Sequence, residues 1–538
     1  MNPSHDAAGV SLDTLIAALQ NPALYDPPVQ AFQVIETHIS YVLLTGTHAY
    51  KIKKPLDLGF LDFSTLDKRR HYCEEEWRLN RRLAPALYLG VAAITGTPAQ
   101  PQWDGAGPAL EYAVKMRQFP QHALLGEIIA HGGLQPRHLI RLAQRIAAFH
   151  RAIAPAPANT PHGEPASVLQ PALQNFSQIA PLLDDAADRL QLDALRVWSE
   201  REFLQLEPFF RRRKAEGCIR ECHGDLHTGN MVLLDDTITI FDCIEFNDNL
   251  RWIDILNDIA FLVMDLIHRR QPDGAAALLN AWLEACGDYG GLPGLRFYLT
   301  YRALVRAKIT ALRAVQPGLT PRETARQWQD YRAYTALAER LTRRPAPFLA
   351  ITHGLSGSGK STLSQPLAAT LGAIRIRSDV ERKRLFGLAA EARSASALDA
   401  GLYSPEAGRK TYRRLIALAQ ETLAAGYPVI LDAAFLQRDQ REMARQLADA
   451  RDIPFVVLDF QANAHVLRAR IRQRATAGGD ASEAGLPVLE RQIASREPLA
   501  AEEQRHALSI NTEAAAAATL AETVRAFLKR PSPERLRR

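Results

Sequence analysis

Two stretches of this sequence set phosphate-handling residue types at useful spacing. The first runs Gly354-Leu355-Ser356-Gly357-Ser358-Gly359-Lys360-Ser361-Thr362. Its glycines let successive backbone N–H groups turn inward around phosphate oxygens, at the positive end of the helix that should follow. Lys360 adds a point charge for the outer phosphates of ATP, and the Ser361 hydroxyl is placed for Mg²⁺. The second stretch is His223-Gly224-Asp225-Leu226-His227-Thr228-Gly229-Asn230, followed by Ile240-Phe241-Asp242. An Asp five residues before an Asn, then another Asp beyond a strand, suits phosphoryl transfer. Asp225 would accept or orient a substrate hydroxyl, while Asn230 and Asp242 would hold Mg²⁺ on nucleotide phosphates.

Weaker candidates accompany the first stretch. Asp379 ends the run that starts at Ile374, where a strand would deliver it to a sheet edge to hold or deprotonate an acceptor hydroxyl. Asp432 ends Val429-Ile430-Leu431 and could partner Mg²⁺ or its water shell. A helix N-cap or a loop carboxylate would account for either one taken alone. Arg470 and Arg474, at i, i+4, share a helix face from which both could reach a phosphate. The same spacing also suits a solvated basic face.

The elements around these residues suggest two folds in series. From Phe32 to Ile52 apolar positions alternate as in paired strands; a helix over 68–83 and a strand over 110–116 follow, and helices dominate from Arg137. A small β-rich lobe ahead of a helical lobe is a kinase layout. Asp235-Asp236 reads as the turn of a hairpin that brings Asn230 and Asp242 together. A Pro-containing linker over Leu341–Pro347 ends the helical pattern. Beyond it short apolar runs at 348–353, 429–431 and 455–458 alternate with helices, as in a parallel sheet. The expectation is an α+β protein-kinase-like bilobal fold over residues 1–344, then an α/β P-loop domain with a parallel sheet over 345–538.

Composition narrows the partners. The net charge is +6, and the ten residues from Lys529 carry five positive charges against one negative, so no basic stripe remains for nucleic acid. Apolar runs are too short for a membrane span, and Met1 to Val10 lack the features of a signal peptide. Five widely spaced cysteines suit a reducing, cytoplasmic compartment, and a metal cluster of Cys218, Cys222 and His223 lacks a second pair at zinc spacing. Nothing in the sequence sets the oligomeric state.

On these motifs the region after 346 resembles the gluconate-kinase and zeta-toxin-like P-loop kinases, through the loop itself, Arg377-Ser378-Asp379, the strand ending at Asp432, and Arg470 and Arg474 before a Gly-Gly-Asp lid. The segment around Asp225 resembles the aminoglycoside phosphotransferase and choline kinase superfamily, and the whole chain looks like bacterial fusions of the two. That resemblance implies a phosphate-contacting strand lysine, Lys51 or Lys53 on the same strand face, with Lys51 preferred. It also implies an ion-pair partner on the next helix, Glu76, with Glu74 and Glu75 near enough to compete, and an adenine-reading hinge at Met116 to Gln118. One departure stands out: where protein kinases carry a Gly-rich loop, this chain has Glu36-Thr37-His38-Ile39-Ser40, so the Thr37 and Ser40 hydroxyls would contact phosphate instead.

The activity implied is transfer of the γ-phosphoryl group of ATP to a hydroxyl of a small molecule such as a sugar or amino sugar, with two nucleotide sites. The alternative is an ATP-binding regulatory protein whose degenerate front domain senses a ligand and controls the P-loop domain. An aminoglycoside acceptor would want an acidic cleft, for which Asp248, Asp254, Asp258 and Asp265 are available, but carboxylates at i, i+4 on a helix have structural uses too.

Overall fold

The computed structural model describes residues 12–59, 61–389, 404–477, 485–514 and 517–529. Met1 to Val10, the Gly478-Gly479-Asp480 segment and the tail beyond Lys529 lie outside them. The chain packs as two compact units. One comprises Met1–His138, Phe149–Pro171 and Phe210–Leu262; the other comprises Leu139–Ala148, Ala172–Phe209 and Val263–Arg538. Helices before the linker therefore pack in the same unit as the sheet after it, a grouping that differs from a cut at 344/345.

The first unit is built on a six-stranded antiparallel sheet. Its strands are β1 (Gln33–Glu36), β2 (Ser40–Leu44), β3 (His48–Lys53), β4 (Tyr88–Thr97), β5 (Gln100–Trp103) and β6 (Glu111–Arg117), in the order β1-β2-β3-β6-β4-β5. Side chains alternate across the pleat, so Tyr50 and Ile52 of β3 face an apolar layer with Leu15, Leu19, Leu43 and Ile94, while Lys51 and Lys53 face the other way. The helix Leu66–Asn80 lies beyond that second face. It starts at Leu66, two residues ahead of the expected start, behind Thr65, whose hydroxyl accepts the Lys68 N–H. Further on, β7 (Ile219–Glu221) pairs with β10 (Trp252–Asp254), and β8 (Met231–Leu234) pairs with β9 (Thr237–Ile240). Asp235 and Asp236 join β8 to β9 with φ of 47° and 59°, the left-handed pair that a two-residue hairpin turn needs.

The second unit carries a five-stranded parallel sheet of β11 (Leu349–His353), β12 (Ile374–Arg377), β13 (Val429–Asp432), β14 (Phe455–Gln461) and β15 (Ala507–Asn511), ordered β12-β13-β11-β14-β15. The central strands are buried on both faces, as continuous apolar runs demand. Leu367, Ile430, Val456, Leu458 and Val524 fill one side of the sheet. Strand β15 gave no sequence signal. The edge strand β12 is covered by the helix Pro272–Cys286, where the Asn280 amide donates to Ala373 O at 3.0 Å and accepts the Arg375 N–H at 2.6 Å. Among the described residues no helix is long and apolar enough to cross a membrane.

Candidate active sites

In the first unit both strand lysines converge on one carboxylate. Lys51 Nζ lies 2.9 Å from Glu76 Oε1 and 2.7 Å from Asp242 Oδ1. Lys53 Nζ lies 2.7 Å from Glu76 Oε2 and also pairs with Glu245. Lys53, Glu76 and Glu245 are almost wholly buried, whereas the Asp242 side chain is 40% exposed. Burial works against the Lys51 ammonium, but Asp242 and Glu76 hold its pKa well above the ordinary lysine value. Burial would likewise raise Glu76, but Lys51 and then Lys53 hold it well below the usual glutamate range. Glu74 pairs with Arg70, and Glu75 with Arg78 and Arg251. The lysine that reaches Asp242 itself is thus Lys51, while Lys53 sits one step deeper against Glu245.

The loop with Asp225 is tied from within and from behind. Asn230 Nδ2 donates to Asp225 O at 3.0 Å and to Asp225 Oδ2 at 2.8 Å, which turns its Oδ1 away from that carboxylate. Asp242 adopts φ 63°, and its N–H donates to the Tyr88 hydroxyl at 3.2 Å. A non-glycine residue held in the left-handed region costs energy that the surrounding bonds must offset. Behind the loop, Asp258 accepts the N–H groups of His223 (3.2 Å) and Gly224 (2.9 Å), and its Oδ2 lies 3.0 Å from His150 Nε2. His223 Nε2 lies 2.9 Å from Phe241 O, and its Nδ1 is 3.3 Å from Asp225 N, so a proton on Nε2 satisfies both contacts. No sequence motif pointed to Asp258 as the support of this loop; it lies on a helix 33 residues past Asp225. Its carboxylate, with His150 and Cys222, forms a compact buried trio. The donors it already accepts, and the Cys222 Sγ 3.5 Å from Ile253 O, account for the trio without an ion.

Two expectations change here. The Thr37 hydroxyl lies 2.8 Å from the Ser40 hydroxyl and accepts the Ser40 N–H at 2.9 Å, so these groups close their own turn between β1 and β2. The proposed acidic cleft is also spoken for: Asp254 pairs with Arg213, Asp248 with Arg251, and Asp265 with Arg269. At the hinge, the Gln118 N–H donates to Thr47 O at 2.9 Å.

In the second unit the phosphate loop joins β11 to the helix Lys360–Leu371. Gly357 and Gly359 have φ of 82° and 85°, and a Cβ on Gly357 would stand 2.8 Å from Leu467 O. Lys360 Nζ donates to the carbonyls of Gly354 and Leu355, both at 2.8 Å, and so lies across the loop. Leu355 packs with Leu467, Ile471 and Leu489, while the Ser356 N–H is held by the Gln492 side chain. Ser361 Oγ donates to Asp432 Oδ1 at 3.3 Å, and Ser364 Oγ to Asp432 Oδ2 at 2.9 Å.

A cleft of about 690 Å³ opens over the loop; Gly359, Ser361, Thr362, Asp379, Asp432 and Arg470 are among the residues that line it. Asp379 sits in the first turn of the helix Ser378–Leu385, because β12 ends at Arg377, two residues sooner than expected. It still faces the cleft, 3.7 Å from Arg382. Arg470 Nη1 donates to Thr512 Oγ1 at 2.9 Å and to Gly357 O at 3.4 Å, which fixes it on the flank of the loop. The Arg474 side chain lies outside the described residues. Sequence reasoning missed the cleft residues Arg382, Gln437 and Gln440, which belong to no motif.

Known proteins match both halves. The Phosphotransferase enzyme family matches residues 71–298, and the family described as AAA domain matches 349–499. Uncharacterized proteins of Mycobacterium bovis and of Mycobacterium tuberculosis strain H37Rv are each 31% identical over 454 residues, spanning 84% of this chain and 87% of theirs. Among solved structures, amicoumacin kinase hAmiN in complex with AMP-PNP, Ca²⁺ and Ami covers 61% of this chain and 93% of its own, at 12% identity and a TM-score of 0.38. A gluconokinase from Sinorhizobium meliloti 1021 covers 35% of this chain and 93% of its own, at 21% identity and a TM-score of 0.24.

Proposed function

Because this chain belongs to the family that places a phosphotransferase-enzyme domain ahead of an AAA-type P-loop domain, we propose that it carries two ATP sites and transfers γ-phosphoryl groups to hydroxyls of small molecules. The observation that carries the reading is the cluster of Asp225, Asn230, Asp242 and Lys51, complete in residue type and joined by short contacts. In this proposal Asp225 takes the proton of the acceptor hydroxyl as its oxygen bonds to the γ-phosphorus, and ADP leaves with the bridging oxygen. Lys51, anchored by Glu76, contacts the α- and β-phosphates.

The donor sets fit Mg²⁺, which prefers hard oxygens. Asn230 Oδ1 and the Asp242 carboxylate would hold it in the first site, and Ser361 with Asp432 in the second. Bound there, the ion supplies charge neutralisation on the phosphate oxygens. In the second site the loop N–H groups and Lys360 cradle the phosphates, Arg470 with Arg474 approaches them, and Asp379 orients the acceptor. The compartment is part of the same proposal, since the cysteines stand as free thiols and suit a reducing cytoplasm.

The test is an ADP-release screen over sugars, amino sugars, aminoglycosides and nucleosides, comparing wild type with Asp225→Ala and Lys360→Ala. Each substitution should remove turnover of a distinct set of acceptors. If neither lowers any turnover, the assignments fail. Loss with Lys360→Ala alone would instead support the reading in which the front domain only senses a ligand.

A further inference from the structure

The P-loop site is braced by a residue from before the linker. Helix Pro272–Cys286 belongs to the same compact unit as the parallel sheet and lies along its edge strand β12. Near its end, Glu284 inserts one carboxylate between two arginines that share a face of that strand. Glu284 Oε2 accepts from Arg375 Nη2 at 3.2 Å, and Oε1 accepts from Arg377 Nη1 at 2.8 Å. Arg375 in turn donates through Nη1 to Ser361 O at 3.2 Å, and the same nitrogen stands 3.6 Å from Asp432 Oδ2. The Arg375 side chain is 6% exposed, so its charge is shared between Glu284 and Asp432 with little help from water. Arg377 is partly buried and lines the cleft. Asn280 fixes the backbone of the same strand.

We infer that Glu284 is a positioning residue of the P-loop site. It holds Arg375 at 3.6 Å from Asp432, short of a hydrogen bond, so that the carboxylate stays available to Ser361 and a divalent cation. Without the Glu284 charge, Asp432 is the acidic partner left to Arg375 among the described residues, and the guanidinium closes onto it in competition with the cation. Residues ahead of the linker thereby set how well the domain behind it works. This inference rests on the proposed role of the P-loop site.

The experiment uses the full chain carrying Asp225→Ala, so that ADP release reports the P-loop site. Glu284→Gln and Glu284→Asp are compared by titrating MgCl₂ into the protein with a fluorescent ATP analogue, and by ADP release from ATP. Glu284→Gln should raise the half-saturating Mg²⁺ about tenfold, the scale for partners that orient metal-binding groups. It should lower kcat by a similar factor with KM for ATP within about twofold, and Glu284→Asp should recover much of both. Should Glu284→Gln fail to fold, Arg375→Lys, which keeps the charge and loses the forked reach, should impair Mg²⁺ dependence in the same way. An unchanged Mg²⁺ dependence overturns the inference. So does an equal shift in Asn280→Ala, which would mean that Glu284 is only scaffold. If Lys360→Ala leaves ADP release intact, the P-loop assignment itself has failed, a different outcome.

Discussion

At the scale of single residues, charge and backbone angle make the sharpest predictions. Among the described residues Glu76 forms short ion pairs with both Lys51 and Lys53, so Glu76→Gln leaves two ammoniums short of a counter-charge. Breaking a buried ion pair of this kind costs about 3–5 kcal/mol, measurable by denaturant unfolding. The pH dependence has a definite sign. Glu76 in the native state is held below its unfolded value, so its contribution is complete above that value and lost as the pH falls through the native one. Acid unfolding of the Glu76→Gln variant should therefore be flatter between about pH 4.5 and pH 2 than that of wild type; an equal slope would contradict the assignment. Gly357→Ala, at φ 82° and against Leu467 O, should cost about 1–2 kcal/mol and weaken nucleotide binding. The phosphate loop and the Asp225 string were legible because their chemistry is local in sequence. The choice between Lys51 and Lys53 was not, because strand period puts both on one face and only the approach of Asp242 separates them.

At the scale of elements, long-range support decides what the motifs can do. Asp258 holds two backbone N–H groups of the Asp225 loop from a separate helix. Asp258→Ala should lower front-site turnover by about 10–100-fold with nucleotide affinity largely kept, by analogy with outer-shell partners. Equal losses in both would mean that the loop has collapsed. Asn280 satisfies two backbone groups at the sheet edge, Ala373 O just before β12 and the Arg375 N–H within it. Removing one side chain there orphans a buried donor and a buried acceptor, so Asn280→Ala should destabilise by about 2–6 kcal/mol, each group costing about 1–3. Such pairings join residues some 95 positions apart, and no local spacing announces them. The same holds for β15, whose short run from Ala507 to Asn511 becomes a strand only by pairing with β14. By contrast, the β8–β9 hairpin was readable, since two aspartates between apolar runs tolerate the left-handed turn.

At the scale of the whole chain, the proposed reading gives each half an ATP site, yet the two would grip nucleotide differently. In that reading the P-loop half would enclose phosphate with backbone N–H groups. The front half has no glycine-rich cover, and the Thr37 and Ser40 hydroxyls are turned on each other. In the proposed reading its hold on nucleotide would come from Lys51 and a cation held by Asn230 and Asp242. That contrast predicts two affinities, tighter behind the linker than ahead of it. The direct measurement is calorimetric titration of the full chain with a non-hydrolysable ATP analogue in MgCl₂. The account predicts two sites per chain in wild type, and in Lys360→Ala one site of the weaker class. One site per chain that Lys360→Ala abolishes would contradict it, and would leave the front domain without a nucleotide.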